Sequence, residues 1–450
     1  MDSVSGTPAS KSTHLELDDQ KIGIDGLSKL IQDENLENIE KLSLKNNNLD
    51  YGAAALISNH KAWSNLRELD LSTNPIGDKG ASMIGDNGNW PNLVELRLAE
   101  CQISDLGAKS IAENTSWSNL KVLGLGNNKI GVEGVSAICN NKIWASLEEL
   151  LIGWNQSGSA GAISIAENTT WIGLKKLSLE GNNIGDEGAT AIGRNKFWKN
   201  LEELGLGSNN IGDIGAISIA ENTTWGGLKI LSLDLNRIGD IGAAALGKNE
   251  VWVKLEELVL SFNQIGDIGI KAIAQNTTWK NLKKLYLLIN KIGYTGAEAL
   301  GKNETWVNLE ELLLFDNKIG DIGIKAIAKN TSWKNLKWLC LSENQIGDAG
   351  AVALGMNFSW VNLTHLDLPK TNIGIEGGKA IGSNTVWTHL QELDLSNNNI
   401  GDQGTIFIAS NLAWKNIQKV DLFNNSIGDE GATAIGRNTT WVNLRPAEDL

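Results

Sequence analysis

Four histidines and three cysteines are the side chains in this chain best suited to proton transfer, metal ligation or nucleophilic attack. His14, His60, His365 and His389 are scattered, and none has a second ligand at metal-binding spacing. Cys101, Cys139 and Cys340 fall at unrelated places and form no disulfide framework, which suits a reducing compartment. No GxxxxGK[ST] loop occurs among the 49 glycines, and no isolated pair of acids sits in an apolar setting. The expectation is therefore a protein that is not an enzyme and needs no cofactor or metal.

Charge and hydropathy narrow the partners. The chain carries 53 acidic against 39 basic residues, a net −14, which argues against a phosphate backbone as ligand. No apolar run is long enough to cross a bilayer, so no membrane partner is expected. The opening MDSVSGTPASKST is polar and has no apolar h-region, so it reads as a disordered tail over residues 1–13 and not as a secretory signal. Together with the cysteines this places the protein in a cytoplasm, or in a host cytosol if it is exported as an effector.

The elements that position every side chain follow from one period. The stretch Leu174 to Asn200, LKKLSLEGNNIGDEGATAIGRNKFWKN, is 27 residues long and recurs fifteen times in tandem over residues 39–443. Trp198 has a counterpart every 27 residues from Trp63 to Trp441, and a glycine equivalent to Gly188 recurs from Gly52 to Gly431. Leu174, Leu177 and Leu179 alternate with Lys176 and Ser178 as a short strand does. Asn182 closes the strand, and Asn holds its place in thirteen of the fifteen units, with Cys101 and Thr371 as exceptions. Stacked amides there can satisfy the backbone where the strand turns. Gly185 permits a sharp turn, Asp186 is expected to N-cap the helix, and Asn195 to end it as a left-handed C-cap. Fifteen tryptophans at one structural position read as a buried spine.

Such a unit cannot bury its apolar face alone, so the expected architecture is an α/β solenoid, a horseshoe with a parallel sheet on its concave face and helices on the convex one. LxxLxLxxN followed by IGDEGAxAI resembles the leucine-rich repeats of the ribonuclease-inhibitor subtype, as in ribonuclease inhibitor, Ran GTPase-activating proteins and NOD-like receptors. The resemblance covers about nine-tenths of the chain; the shorter unit and the invariant Trp depart from it. It implies a protein-binding scaffold. GTPase activation or regulation, or an effector acting on a host protein, is the alternative it suggests, although no acidic tail of the Ran-activator kind is present. A purely structural scaffold is the other rival. Residues 14–38 read as a degenerate, charged capping repeat, with Gln20 at the Asn place. Residues 444–450 form a C-terminal tail: Leu444 begins another strand that Arg445 and Pro446 break. Either that tail folds over the last repeat or another chain covers it.

Two features rise above the period. Strands beginning Leu-Glu-Glu-Leu alternate with strands beginning Leu-Lys-x-Leu, so Glu149, Lys176 and Glu203 should neighbour one another in a charge ladder. The sheet positions that point away from the core are mostly polar or small, as in Lys176, Ser178, Glu180 and Gly181. In four consecutive units they include Val259, Phe262, Tyr286, Leu288, Ile289, Leu313, Phe315, Trp338 and Cys340, with a smaller group at Leu151 and Trp154. These are the candidate partner-binding residues. Tyr286 and Trp338 should point straight off the sheet. Glu257, Glu311, Asp316 and Glu343 would rim the patch and favour a basic protein partner.

Overall fold

The computed structural model describes residues 13–33, 36 and 38–441. It divides into two units, residues 1–205 and 206–450. The tails expected over 1–13 and 444–450 lie outside the described residues, apart from Thr13.

The first unit holds β1 (His14–Glu16), β2 (Lys41–Ser43), β3 (Glu68–Asp70), β4 (Glu95–Arg97), β5 (Val122–Gly124), β6 (Glu149–Leu151), β7 (Lys176–Ser178) and β8 (Glu203–Gly205). The second holds β9 (Ile230–Ser232), β10 (Glu257–Val259), β11 (Lys284–Tyr286), β12 (Glu311–Leu313), β13 (Trp338–Cys340), β14 (His365–Asp367), β15 (Glu392–Asp394) and β16 (Lys419–Asp421). Within each unit the strands are parallel and stand in sequence order, one helix following each, which is the expected solenoid. Within a unit each strand pairs with the next at a shift of one repeat, as in Leu258 against Leu285 and Leu285 against Leu312. From β2 to β15 the middle leucine of each strand is buried and its two neighbours lie on the opposite face. Sheet register and sequence period are therefore the same thing.

The core lies between sheet and helices. The tryptophans of the 27-residue series are its spine: from Trp63 to Trp414 they are wholly buried, and Trp252 stacks on Trp279 with ring centroids 6.4 Å apart. Trp63 donates its indole N–H to the Leu36 carbonyl at 2.8 Å, whereas at the same repeat position from Trp90 to Trp441 the indole N–H has no acceptor among the described residues. Close helix packing explains the small residues. A Cβ added to Gly247 would lie 2.5 Å from the backbone nitrogen of Ile273 in the following helix. In the first repeat the helix glycine falls one place early: Ala53 holds the position of Gly188, and Gly52 precedes it.

The asparagines at the strand ends do what the sequence suggested. Asn290 donates from Nδ2 to the carbonyls of Leu260 and Leu287 at 3.0 and 3.1 Å and accepts the Ile265 N–H at 3.0 Å. Thr371 keeps part of this role, donating to the Leu368 carbonyl at 2.6 Å.

Two capping expectations need correction. Ile184, not Asp186, occupies the N-cap of helix Gly185–Arg194, and Asp186 lies within the first turn. The aspartate at this place caps the following helix: Asp213 Oδ1 accepts N–H bonds from Gly239 and Gly242 at 2.7 and 2.8 Å, and Asp321 does the same for Gly347 and Gly350 at 2.9 and 2.7 Å. A side chain in the first turn points out along the stack, so its nearest unsatisfied donors belong to the neighbouring helix. Asn195 is not left-handed either; with φ −62° and ψ 131° it is extended. It ties three segments together, accepting from the N–H groups of Phe197 and Trp198 at 2.9 and 3.0 Å and donating to the Ala166 carbonyl at 2.8 Å. Left-handed backbone occurs instead in the turn beside the strand-end Asn, at Asn127, Gly181 and their counterparts.

Candidate functional site

On β10 to β13 the first and third strand residues face away from the core. The third residues form one row, Val259 paired with Tyr286, Tyr286 with Leu313 and Leu313 with Cys340. Past the next buried leucine the chain turns, and here Leu288 and Phe315 form a second, half-buried row. Phe262 and Ile289 follow as a third. Trp338 opens β13 among the first residues, beside Glu311 of β12 and His365 of β14. The structure thus gathers nine of the candidate residues onto four neighbouring strands and the turns that follow them. Leu151 and Trp154 belong to the first unit, where Trp154 is 53% exposed.

Their roles differ from a uniform set of protruding anchors. Leu313 is only 7% exposed and is floor rather than contact. Cys340 is half-buried, and burial pushes its thiol pKa up, so it is a poor nucleophile. Tyr286 does not stand free off the sheet: it is half-buried, and its hydroxyl donates to the Glu311 carboxylate. Burial first, and then that bond, hold the phenol well above its ordinary pKa. The exposed anchors are Trp338 and Phe262.

Backbone geometry marks the third row. Phe262 has φ 56° and Ile289 φ 50°, with Trp154 at 58° in the first unit. Their N–H groups hold the turn, Phe262 donating to the Leu288 carbonyl at 2.7 Å and Ile289 to the Phe315 carbonyl at 2.8 Å. An L-residue in this region costs roughly 1–2 kcal/mol, and bulky or β-branched side chains are the least suited to it. Other repeats place Asn127, Gly181 or Asn397 there. Leu235, at φ 52° and exposed, belongs to the same row and escaped the sequence reading because Ser232 and Asp234 beside it are polar. Phe423 also escaped: it shares the register of Phe315 and is exposed, although the neighbouring outward residue, Asp421, is acidic. Register alone would have found both.

The rim is acidic and internally ordered. Lys284 lies 3.6 Å from Glu257 and 3.7 Å from Glu311, so one lysine serves two carboxylates. Trp338 donates its indole N–H to Asp367 at 2.6 Å, and its ring lies 5.7 Å from that of His365. Asp367 is paired in register with Asp394, and Asp394 with Asp421. Burial raises the Asp367 pKa, and Asp394 and Glu392 add to the rise while the Trp338 bond opposes it. Among the described residues no group of three or more His, Cys, Asp or Glu side chains could hold a metal ion. No helix there is long and apolar enough to cross a membrane. The arrangement offers apolar contact, indole and carboxylate recognition, and a surplus of negative charge.

Comparison with known proteins agrees with the fold. The chain is similar to a leucine-rich-repeat protein of Leptospira interrogans, with a TM-score of 0.57 and 21% identity over 94% of this chain and 99% of that one. It is also similar to an internalin of Listeria monocytogenes, with a TM-score of 0.51 and 19% identity over 94% and 93% of the two chains. No curated protein matches the sequence. The leucine-rich repeat model matches twelve segments, 64–85, 91–112, 118–139, 174–193, 199–220, 228–247, 253–274, 307–328, 334–355, 361–382, 388–409 and 415–436. These cover more than half of the sequence and coincide with the strand–helix period described above, and the chain belongs to the leucine-rich repeat family.

Proposed function

We propose that this chain is a non-enzymatic scaffold that holds a protein partner on the outward face of β10 to β13, through the apolar and aromatic patch and its acidic rim. Leucine-rich repeat scaffolds typically mediate protein–protein binding, which supports the class of activity. The observation that carries the reading is the left-handed row. Phe262 and Ile289 occupy backbone positions that disfavour them, at places where most other repeats carry a polar residue or Gly, such as Asn127, Gly181, Ser208 or Lys370, and neither enters the core. A large apolar side chain left outside the core where the backbone disfavours it is explained by contact with something else. Glu257, Glu311, Asp316 and Glu343 around it favour a basic partner segment. Trp154 with Leu151 forms a smaller contact of the same kind in the first unit.

The pairing of each short strand with an α-helix, as in β7 with the ten-residue helix Gly185–Arg194, supports the ribonuclease-inhibitor-like subtype. Three free thiols in separate repeats support a cytoplasmic setting, or a host cytosol for an exported effector.

The test is selection of binders from a random peptide display library, followed by measurement on the double variant Phe262→Ser/Trp338→Ser. Wild-type protein should select peptides rich in Lys or Arg and large apolar residues. Those peptides should bind the double variant at least about tenfold more weakly, or about 1.4 kcal/mol, with circular dichroism and melting point unchanged. Equal binding by a folded double variant would sink the reading.

A further inference from the structure

The helix side of the second unit carries a separate surface. In helices Asp213–Ala220, Asp240–Gly247 and Asp267–Ala274 the second residue is isoleucine, and Ile214, Ile241 and Ile268 are 64%, 67% and 70% exposed. In the three preceding helices the same place holds Glu133, Ala160 and Glu187, and the exposed Leu106 in the helix before them stands alone. Between these three helices runs a groove of about 620 Å³ floored by Ile217, Ala220, Ala244 and Ala245. Helix Asp213–Ala220 is thus apolar on its outer face as well as its inner one, a pattern expected of a helix covered on both sides. The surface has clear limits. Lys271 ends it on the third helix, and on the next the same region holds the Glu298–Lys302 ion pair at 2.6 Å.

We propose that this face binds the same face of a second copy of the chain, making a weak, reversible two-fold dimer. Two observations favour a copy over an unlike partner. The face contains both halves of a knobs-into-holes contact, projecting isoleucines beside alanine-floored hollows, so it can complement itself across a two-fold axis. Its charges are also opposed along the helices: Asp240 opens the groove and Lys248 closes it, with Glu221 beside Lys248. Antiparallel approach of two copies sets Lys248 of each against the Asp240 end of the other. The extent is small. Three helices at about 10 Å spacing and two turns of length present roughly a few hundred Å² per copy, below the roughly 800 Å² of a standard stable interface. A contact of this size fits a weak, transient association.

Sedimentation velocity of the full chain from about 1 to 200 µM tests this. The expected result is a monomer at the lowest concentration and a rising dimer fraction above it. Ile241→Glu/Ile268→Glu should weaken association at least tenfold with an unchanged melting point, because both side chains are exposed. The control is Ile322→Glu, at the same repeat position but beside Lys325 and Lys329, and it should dimerise like wild type. A monomer throughout the range would overturn the proposal, as would a dimer that the double variant leaves intact or that Ile322→Glu disrupts equally. Peptide binding at the sheet face should be the same for the double variant, so this test and that of the sheet-face site fail independently.

Discussion

Strands β7 and β11 are built on the same core and present opposite surfaces. Leu177 and Leu285 are wholly buried, as are Leu179 and Leu287 after them, and Asn182 and Asn290 close both strands with the same carbonyl bonds. Each strand opens with a lysine paired to a glutamate of the following strand, Lys176 to Glu203 at 2.5 Å and Lys284 to Glu311 at 3.7 Å. On the outward face Ser178, Glu180 and Gly181 of the first correspond to Tyr286, Leu288 and Ile289 of the second. Gly181 takes φ 65° without penalty, and Ile289 takes 50° against its preference. Since the buried half of the repeat is constant, the outward half is free of the fold's demands. What varies there, and above all what varies against local preference, is what the proposed binding role rests on.

The largest expected effect tests the shared core. Trp198→Ala and Trp306→Ala each remove a wholly buried indole, and each should destabilise by about 3–5 kcal/mol. The loss should appear first as local opening, since repeat arrays couple mainly through neighbours. Amide exchange around the altered repeat measures this, and the two variants should agree within about 1 kcal/mol, the scale of context effects on core truncations. A cost confined to one of them would show that β7 and β11 do not stand on equivalent cores.

Next in size is the bond from one repeat to the next. Asp321→Ala removes the acceptor for the Gly347 and Gly350 N–H groups and should cost about 1–2 kcal/mol, the range of a lost helix cap. Faster exchange should appear at those two amides and not at the N-terminus of its own helix, Gly320–Ile327. Exchange that rises only in its own helix would return the aspartate to the role its sequence position first suggested.

That misplacement shows where the sequence was legible and where it was not. A 27-residue period fixes strand register, so the strands, the Trp spine, the Asn stack and the outward rows could all be read from residue spacing. Spacing does not say how far a side chain reaches. Asp213 at one helix start caps the next helix, and Asn195 at a helix end bonds across three segments, because stacked repeats bring foreign donors closer than local ones. Exposure was hidden for the same reason. Leu313 and Trp338 are both outward by alternation, but one is floor and the other an exposed anchor. The left-handed row was invisible as strain, since type and period alone do not give φ.

Ile289→Asn sharpens the contrast between β7 and β11 directly. Asn tolerates the left-handed region, so the backbone penalty of roughly 1–2 kcal/mol is relieved while some half-buried apolar contact is lost. Stability should change by less than about 1 kcal/mol, the two terms opposing each other. Binding of the selected peptides should fall severalfold. Denaturant midpoints and peptide titration measure the two effects. A variant that loses more than about 2 kcal/mol, as a buried aliphatic truncation does, would move Ile289 into the core and out of the site.

The smallest effect concerns the charge ladder that both regions share. Lys176 is paired in register with Glu149 on one side and Glu203 on the other, and the adjoining row repeats the pattern, Lys175 donating to Glu148 at 2.6 Å. Lys176→Glu would place three carboxylates side by side at about the 4.8 Å strand spacing, where like charges directly opposite are unfavourable. Each altered pair is worth about 0.2–1 kcal/mol before screening. Lys176 and Glu203 have side chains 41% and 37% exposed, so the lower end of that range applies. The discriminating variant is Lys176→Ala, which removes attraction without adding repulsion. At low salt the order of stability should be wild type, Ala, Glu. In 1 M salt, where the screening length falls to about 3 Å, the Glu variant should approach the Ala variant. If the two variants melt together at low salt, the alternation of Glu and Lys strands in both units is ancestry from a duplicated pair of repeats and carries no energetic weight.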